Sequence, residues 1–107
     1  MIRDATIGAE ASQIPLSFAG VGDNIIVTGL PGKQIKILQF FFVAAAATNI
    51  TLKSGATALS GQMAFTANMS MFLDFIQLPL TCNPGDNFII NLSAGVQISG
   101  TLWFSQI

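Results

Sequence analysis

The sequence predicts an all-β fold: a single-domain antiparallel β-sandwich, jelly-roll-like, of about eight strands. Three observations predict it. Short runs rich in β-branched and aromatic residues recur along the chain, divided by Gly, Pro, Asn and Asp turns. No stretch shows helical periodicity. The length, 107 residues, fits one domain. The sandwich is expected over residues 12–107, preceded by an N-terminal arm over residues 1–11 that shows no periodicity.

The strands follow in order. In Ser12–Phe18, Ile14, Leu16 and Phe18 alternate with Gln13, Pro15 and Ser17, and Pro15 assigns the segment to an edge. A turn at Gly20–Asn24 leads to a second strand, Asn24–Leu30, closed by Pro31-Gly32. The stretch Gly32–Thr57 then supplies two more strands and the longest apolar run, Phe40–Ala47. Strict alternation puts Ile35, Ile37, Phe41 and Val43 on one side. Lys36, Leu38, Phe40 and Phe42 fall on the other. Ala44–Ala47 reads as strand continuation, and Asn49–Lys53 as the next strand, ending at the Ser54-Gly55 turn. Ala56–Phe65 reads as short, irregular β structure.

Asn68–Leu78 places Met71, Leu73 and Phe75 on one face, and Phe72, Ile76 and Leu78 with Asp74 on the other. Asn83-Pro84-Gly85-Asp86 carries the type II turn pattern, Pro second and Gly third. In Asp86–Ser93, Phe88, Ile90 and Leu92 point inward, with Asn87, Asn91 and Ser93 outward and Ile89 interrupting the outer row. The last strand, Gln97–Ile107, puts Ile98, Leu102 and Phe104 on one face. Ser99, Thr101, Trp103 and Ser105 occupy the other. One internal echo appears: Ile50-x-Leu52-x-x-Gly55 recurs as Ile90-x-Leu92-x-x-Gly95.

Two strands, Ile35–Ala47 and Asn68–Leu78, are thus apolar on both faces, and a strand apolar on both faces must bury both. Only 8% of residues are charged, where about 25% is usual. Mean hydropathy is +0.65. A charge-poor surface on so small a domain points to an obligate oligomer or a chain docked on a larger body. Phe40, Phe42, Met71 and Trp103 are the candidate interface anchors.

The chemistry of catalysis is thin. The chain has no histidine and no tyrosine, which removes Ser-His-Asp and Cys-His catalysis and most zinc sites. No enzyme activity, cofactor or metal is therefore expected. Asp74, inside an apolar strand, is read as lying at a rim or pairing with Lys36 or Lys53. Asp23 with Asn24, and Asp86 with Asn83, lie in turns where such residues belong without a metal. The single cysteine, Cys82, reads as a small apolar filler. The net charge of −1 and the lack of basic runs give no nucleic-acid footprint. The Ile35–Ala47 run is too short to span a membrane, which takes about 20 apolar residues. No apolar h-region follows Met1-Ile2-Arg3-Asp4, so synthesis in a host cytoplasm is expected.

Two stretches, IKILQFFFVAAAATNITLKSGATALSGQMAF and NPGDNFIINLSAGVQISGTLWF, resemble small β-sandwich virion proteins of tailed bacteriophages, of the head decoration or cement type. The resemblance covers roughly residues 30–107 and rests on strand-and-turn grammar. It implies a jelly-roll subunit, commonly a homotrimer, that binds the major capsid protein lattice without catalysis and resides in the virion. The expected function is thus a capsid decoration subunit that trimerises and stabilises the lattice. The alternative is a tail-fibre tip or lectin-like β-sandwich that binds a surface glycan, with Trp103 as the sugar platform.

Overall fold

The computed structural model describes residues 11–75 and 77–107. The expected N-terminal arm, apart from Ala11, and the assignment of Ile76 lie outside the described residues. Among these residues there are ten strands and no helix. They are β1 (Ser12–Phe18), β2 (Gly22–Val27), β3 (Ile35–Ala44), β4 (Thr48–Ser54), β5 (Thr57–Ala58), β6 (Met63–Phe65), β7 (Met69–Asp74), β8 (Leu80–Thr81), β9 (Phe88–Leu92) and β10 (Ile98–Gln106). The excess over eight comes from β5 and β8, two-residue strands that complete sheet edges.

The strands form two antiparallel sheets. The first runs β1-β10-β3-β7, with β8 beside the other half of β3. The second runs β2-β9-β4-β5, with β6 also on β4. Leaving the two-residue strands aside, the eight remaining strands pair as β1-β10-β3-β7 and β2-β9-β4-β6, the double Greek key of a jelly roll. The internal echo has a structural meaning: β4 and β9 pair with each other, Ile50 opposite Leu92 and Leu52 opposite Ile90.

The core lies between the sheets. Leu16, Ile35, Ile37, Phe40, Phe42 and Leu102 line it from the first sheet, and Ile50, Leu52, Phe88, Ile90 and Leu92 from the second. Alternation explains most of this burial, because successive side chains of a strand point to opposite faces. β1, β9 and β10 keep the faces their sequence predicts, and β1 is an edge strand, as Pro15 requires. Gly100 on β10 is a point of close approach: a Cβ there would collide with the Phe41 carbonyl oxygen and lie 2.7 Å from the Phe42 Cα.

β3 departs from strict alternation. Trp103 pairs with Gln39 and Phe104 with Ile37, so Leu38 has no partner on β10. This is a β-bulge, one extra residue that resets the phase of the strand. Ile35 and Ile37 point inward before it; Phe40, Phe42 and Ala44 point inward after it. Phe41 and Val43 therefore face outward, the reverse of the face expected from continuous alternation. The alanine run also divides. β3 stops at Ala44, and Ala45–Ala47 form an exposed bend that carries the chain to β4 in the other sheet. The expected continuation of the strand through Ala47 fails because this bend is where the chain crosses between sheets.

β7 ends at Asp74 rather than Leu78, and Leu78 is exposed. The Asn83–Asp86 turn forms as expected: the Asp86 N–H donates to the Asn83 carbonyl at 3.1 Å, and Gly85 takes φ +80°. Its far side is tied to β4. The buried Ser54 hydroxyl donates to Asp86 Oδ2 at 2.9 Å and accepts from the Asn83 N–H at 2.8 Å.

Candidate interaction face

Each sheet has one face in the core and one facing out. The register fixes which residues share the outer face of the first sheet. One row across β1, β10, β3 and β7 reads Pro15, Thr101, Phe41, Phe72. The next reads Gln13, Trp103, Gln39, Asp74. A third reads Ser17, Ser99, Val43, Ser70. The apolar members form one patch. Phe72 is 60% exposed, Phe41 43% and Val43 40%. The rings of Phe41 and Trp103 lie 6.4 Å apart at 40°, a tilted aromatic pair within the usual contact range.

The four residues expected to anchor an interface divide. Phe40 and Phe42 lie wholly inside the sandwich. They stack on each other at 5.6 Å, and Phe42 also meets Phe65 at 5.4 Å. Neither offers surface to a partner, because the bulge at Leu38 turns them into the core. Met71, opposite Phe42, is half-buried against that same core. Trp103 alone of the four faces outward, and Phe41, Val43 and Phe72 join it.

The signal for this exchange was present in the sequence. Lys36 and Gln39 are the two polar residues of IKILQFFFVA, and both face away from the core. Their separation is odd. Two residues of a regular strand can share a face only at even separation, so an extra residue must lie between them.

The outer face of the second sheet is polar. Asp23 on β2, Asn91 on β9 and Thr51 on β4 form one row. The Lys53 ammonium sits 3.1 Å from both carboxylate oxygens of Asp23, and the Asn91 amide donates to Asp23 Oδ1 at 2.7 Å. Hydrogen bonds from Asn91 and then Lys53 hold the Asp23 carboxyl below its ordinary range. Lys53 thus pairs with Asp23 rather than Asp74. Asp74 lies exposed at the end of β7, opposite Gln39.

Cys82 is buried, and that burial pushes its thiol up, with a smaller opposing hydrogen bond to Ser54 and a smaller upward push from Asp86. A raised thiol is a weaker nucleophile source at neutral pH. Among the described residues no group of three His, Cys, Asp or Glu side chains could hold a metal ion. What the arrangement offers chemically is an apolar patch on an open sheet, with Asp74 and Lys36 as the charges on that face. Comparison with known protein families, with curated proteins and with solved structures yields no match for this chain.

Proposed function

We propose that this chain is a structural subunit of a virion, a capsid decoration protein that self-associates as a homotrimer and docks on the major capsid protein. The observation that carries the reading is the outer face of the β1-β10-β3-β7 sheet. Phe41, Val43, Phe72 and Trp103 form an apolar patch on a chain with only 8% charged residues. Burying such a patch gains about 25 cal/mol per Å² before association costs are subtracted. The jelly roll supports the reading at the level of architecture, since this fold recurs in capsid proteins and lectins alike.

Light scattering on the purified chain tests it. The expected mass is three copies or a multiple of three. A well-behaved monomer at micromolar concentration would overturn the assembly reading. Location on the head surface of an intact particle, in stoichiometric copy number, tests the capsid role separately.

One observation favours a second reading, a glycan-binding module. Trp103 lies between Gln13 and Gln39 in its row, an indole flanked by amides on an open sheet. Binding on a glycan array that disappears in Trp103→Ala would establish it in place of the first.

A further inference from the structure

The sheet edges are not equally protected. An edge strand presents unpaired backbone N–H and C=O groups to any other extended chain, and proteins blunt such edges with Pro, bulges, charge or short length. β1 carries Pro15 at its centre. β2 carries Asp23 and a break in register between Ile25 and Val27. β5, β6 and β8 have two or three residues each. β7 has six residues, Met69–Asp74, with no Pro, Gly or Lys, its one charge confined to the last residue, and an unbroken register on β3. Among the described residues, nothing pairs with its other side.

The ladder shows which groups face that side. The Phe75 N–H donates to the Leu38 carbonyl at 2.6 Å, in line with the β3–β7 register. Antiparallel ladders alternate, so Met71 and Leu73 also direct their backbone groups at β3, while Ser70 and Phe72 direct theirs outward. A strand of this kind selects an extended backbone as its partner.

We propose that the partner is β7 of a second copy, paired antiparallel about a two-fold axis through Phe72. This rests on the self-assembly reading above and names the contact. The strand is complementary to itself in this register. Phe72 meets the partner's Phe72, Met71 meets the partner's Leu73, and Ser70 meets the partner's Asp74. A register centred on Asp74 would set two carboxylates face to face. One centred on Met71 or Leu73 would set Phe72 against Ser70 or Asp74 and lose the contact between the two Phe72 rings. An axis between two residues would oppose an outward backbone group to one already bonded to β3. The pairing continues the sheet across both copies and joins their outer faces into one aromatic row of Phe41, Phe72 and their two counterparts. The axis stands perpendicular to the sheet. Three such pairs can therefore turn their outer faces toward a common three-fold axis, a dihedral arrangement compatible with the trimer.

Oxidative cross-linking of single-cysteine variants tests the register, with the buried Cys82 left in place and the unmodified chain as control. Directly opposed residues of a hydrogen-bonded pair lie about 5.5 Å apart at Cα, within disulfide reach. Phe72→Cys should give a covalent species at twice the 11.3 kDa of one chain. Ser70→Cys alone and Asp74→Cys alone should not, whereas the two mixed should. An assembly seen by light scattering without this pattern overturns the edge contact and leaves the self-assembly reading standing. A monomer by light scattering overturns both. Cross-links that form only after residues 1–11 are deleted would assign the edge to the chain's own N-terminal segment and also overturn the contact.

Discussion

The two sheets of this sandwich share a core but turn opposite chemistries outward. On the β2-β9-β4 side, Asp23, Lys53 and Asn91 form an exposed hydrogen-bonded network. On the β1-β10-β3-β7 side, the corresponding central positions hold Phe41, Val43, Phe72 and Trp103. Neither face is uniform: Ile25 is 59% exposed on the polar side, and Gln13 and Gln39 flank the indole on the apolar side. Scattered apolar residues on a surface need no explanation, whereas a contiguous patch marks an interaction site. The fold needs only the inner faces. The outer faces are free to differ, and the proposed interface lies on the apolar one.

The largest effect comes from breaking the distinction between the two faces of β3 itself. Phe42→Ala removes a fully buried ring and should cost about 3–5 kcal/mol of folding stability. Phe41→Ala, one residue away and outward, should cost no more than about 1 kcal/mol. Denaturant titration of the two variants separates them, and equal losses would mean the assigned phase of β3 is wrong.

A smaller effect sharpens the contrast between the sheets. The double change Phe41→Ser with Phe72→Ser should weaken self-association about tenfold or more, equivalent to about 1.4 kcal/mol, while leaving the thermal midpoint of the dissociated chain nearly unchanged. Ile25→Ser on the polar face should leave association untouched. Sedimentation across a concentration series reads both.

The smallest effect belongs to the Asp23 network. Its carboxyl is held below the ordinary value of about 4. The network therefore contributes fully above that value, and its contribution is lost as pH falls through the lower value of the folded state. Asp23→Asn should flatten the decline of stability on acidification below pH 4 by a small, salt-sensitive amount, since Asp23 is largely solvated. Thermal melts from pH 6 down to pH 2, at low and high salt, provide the comparison.

The strands legible in the sequence are those whose register is regular. Ile14, Leu16 and Phe18 on β1, and Phe88, Ile90 and Leu92 on β9, alternate without interruption, and period two is enough to assign them. The Asn83–Asp86 turn is legible because Pro and Gly each demand a particular φ. The outward set on β3 was misread because apolarity carries no phase when every residue in a run is apolar. IKILQFFFVA is fixed only by its two polar residues and by the partner strand β10, and the partner is remote in sequence. Trp103 was legible as an outward residue because its neighbours Ser99, Thr101 and Ser105 are polar. The grouping of Phe72 with Asp74 holds, but naming Met71 an interface anchor sets that strand's faces the wrong way round, and the joining of Phe72 to Phe41 depends on β3–β7 pairing, which no local pattern announces.

The bulge at Leu38 has a consequence for how this chain tolerates change. Substitutions along β3 act one side chain at a time. An insertion or deletion acts on the whole strand beyond it, because one residue of slip exchanges the two faces. Deleting Leu38 itself would remove the extra residue and leave Ile35, Ile37, Phe40 and Phe42 all inward in continuous alternation, whereas deleting Phe41 would turn Phe42 out to water and Val43 inward. In the genes of related chains, length should therefore be held constant from Phe40 to Ala44, while a single residue can be lost between Ile37 and Phe40.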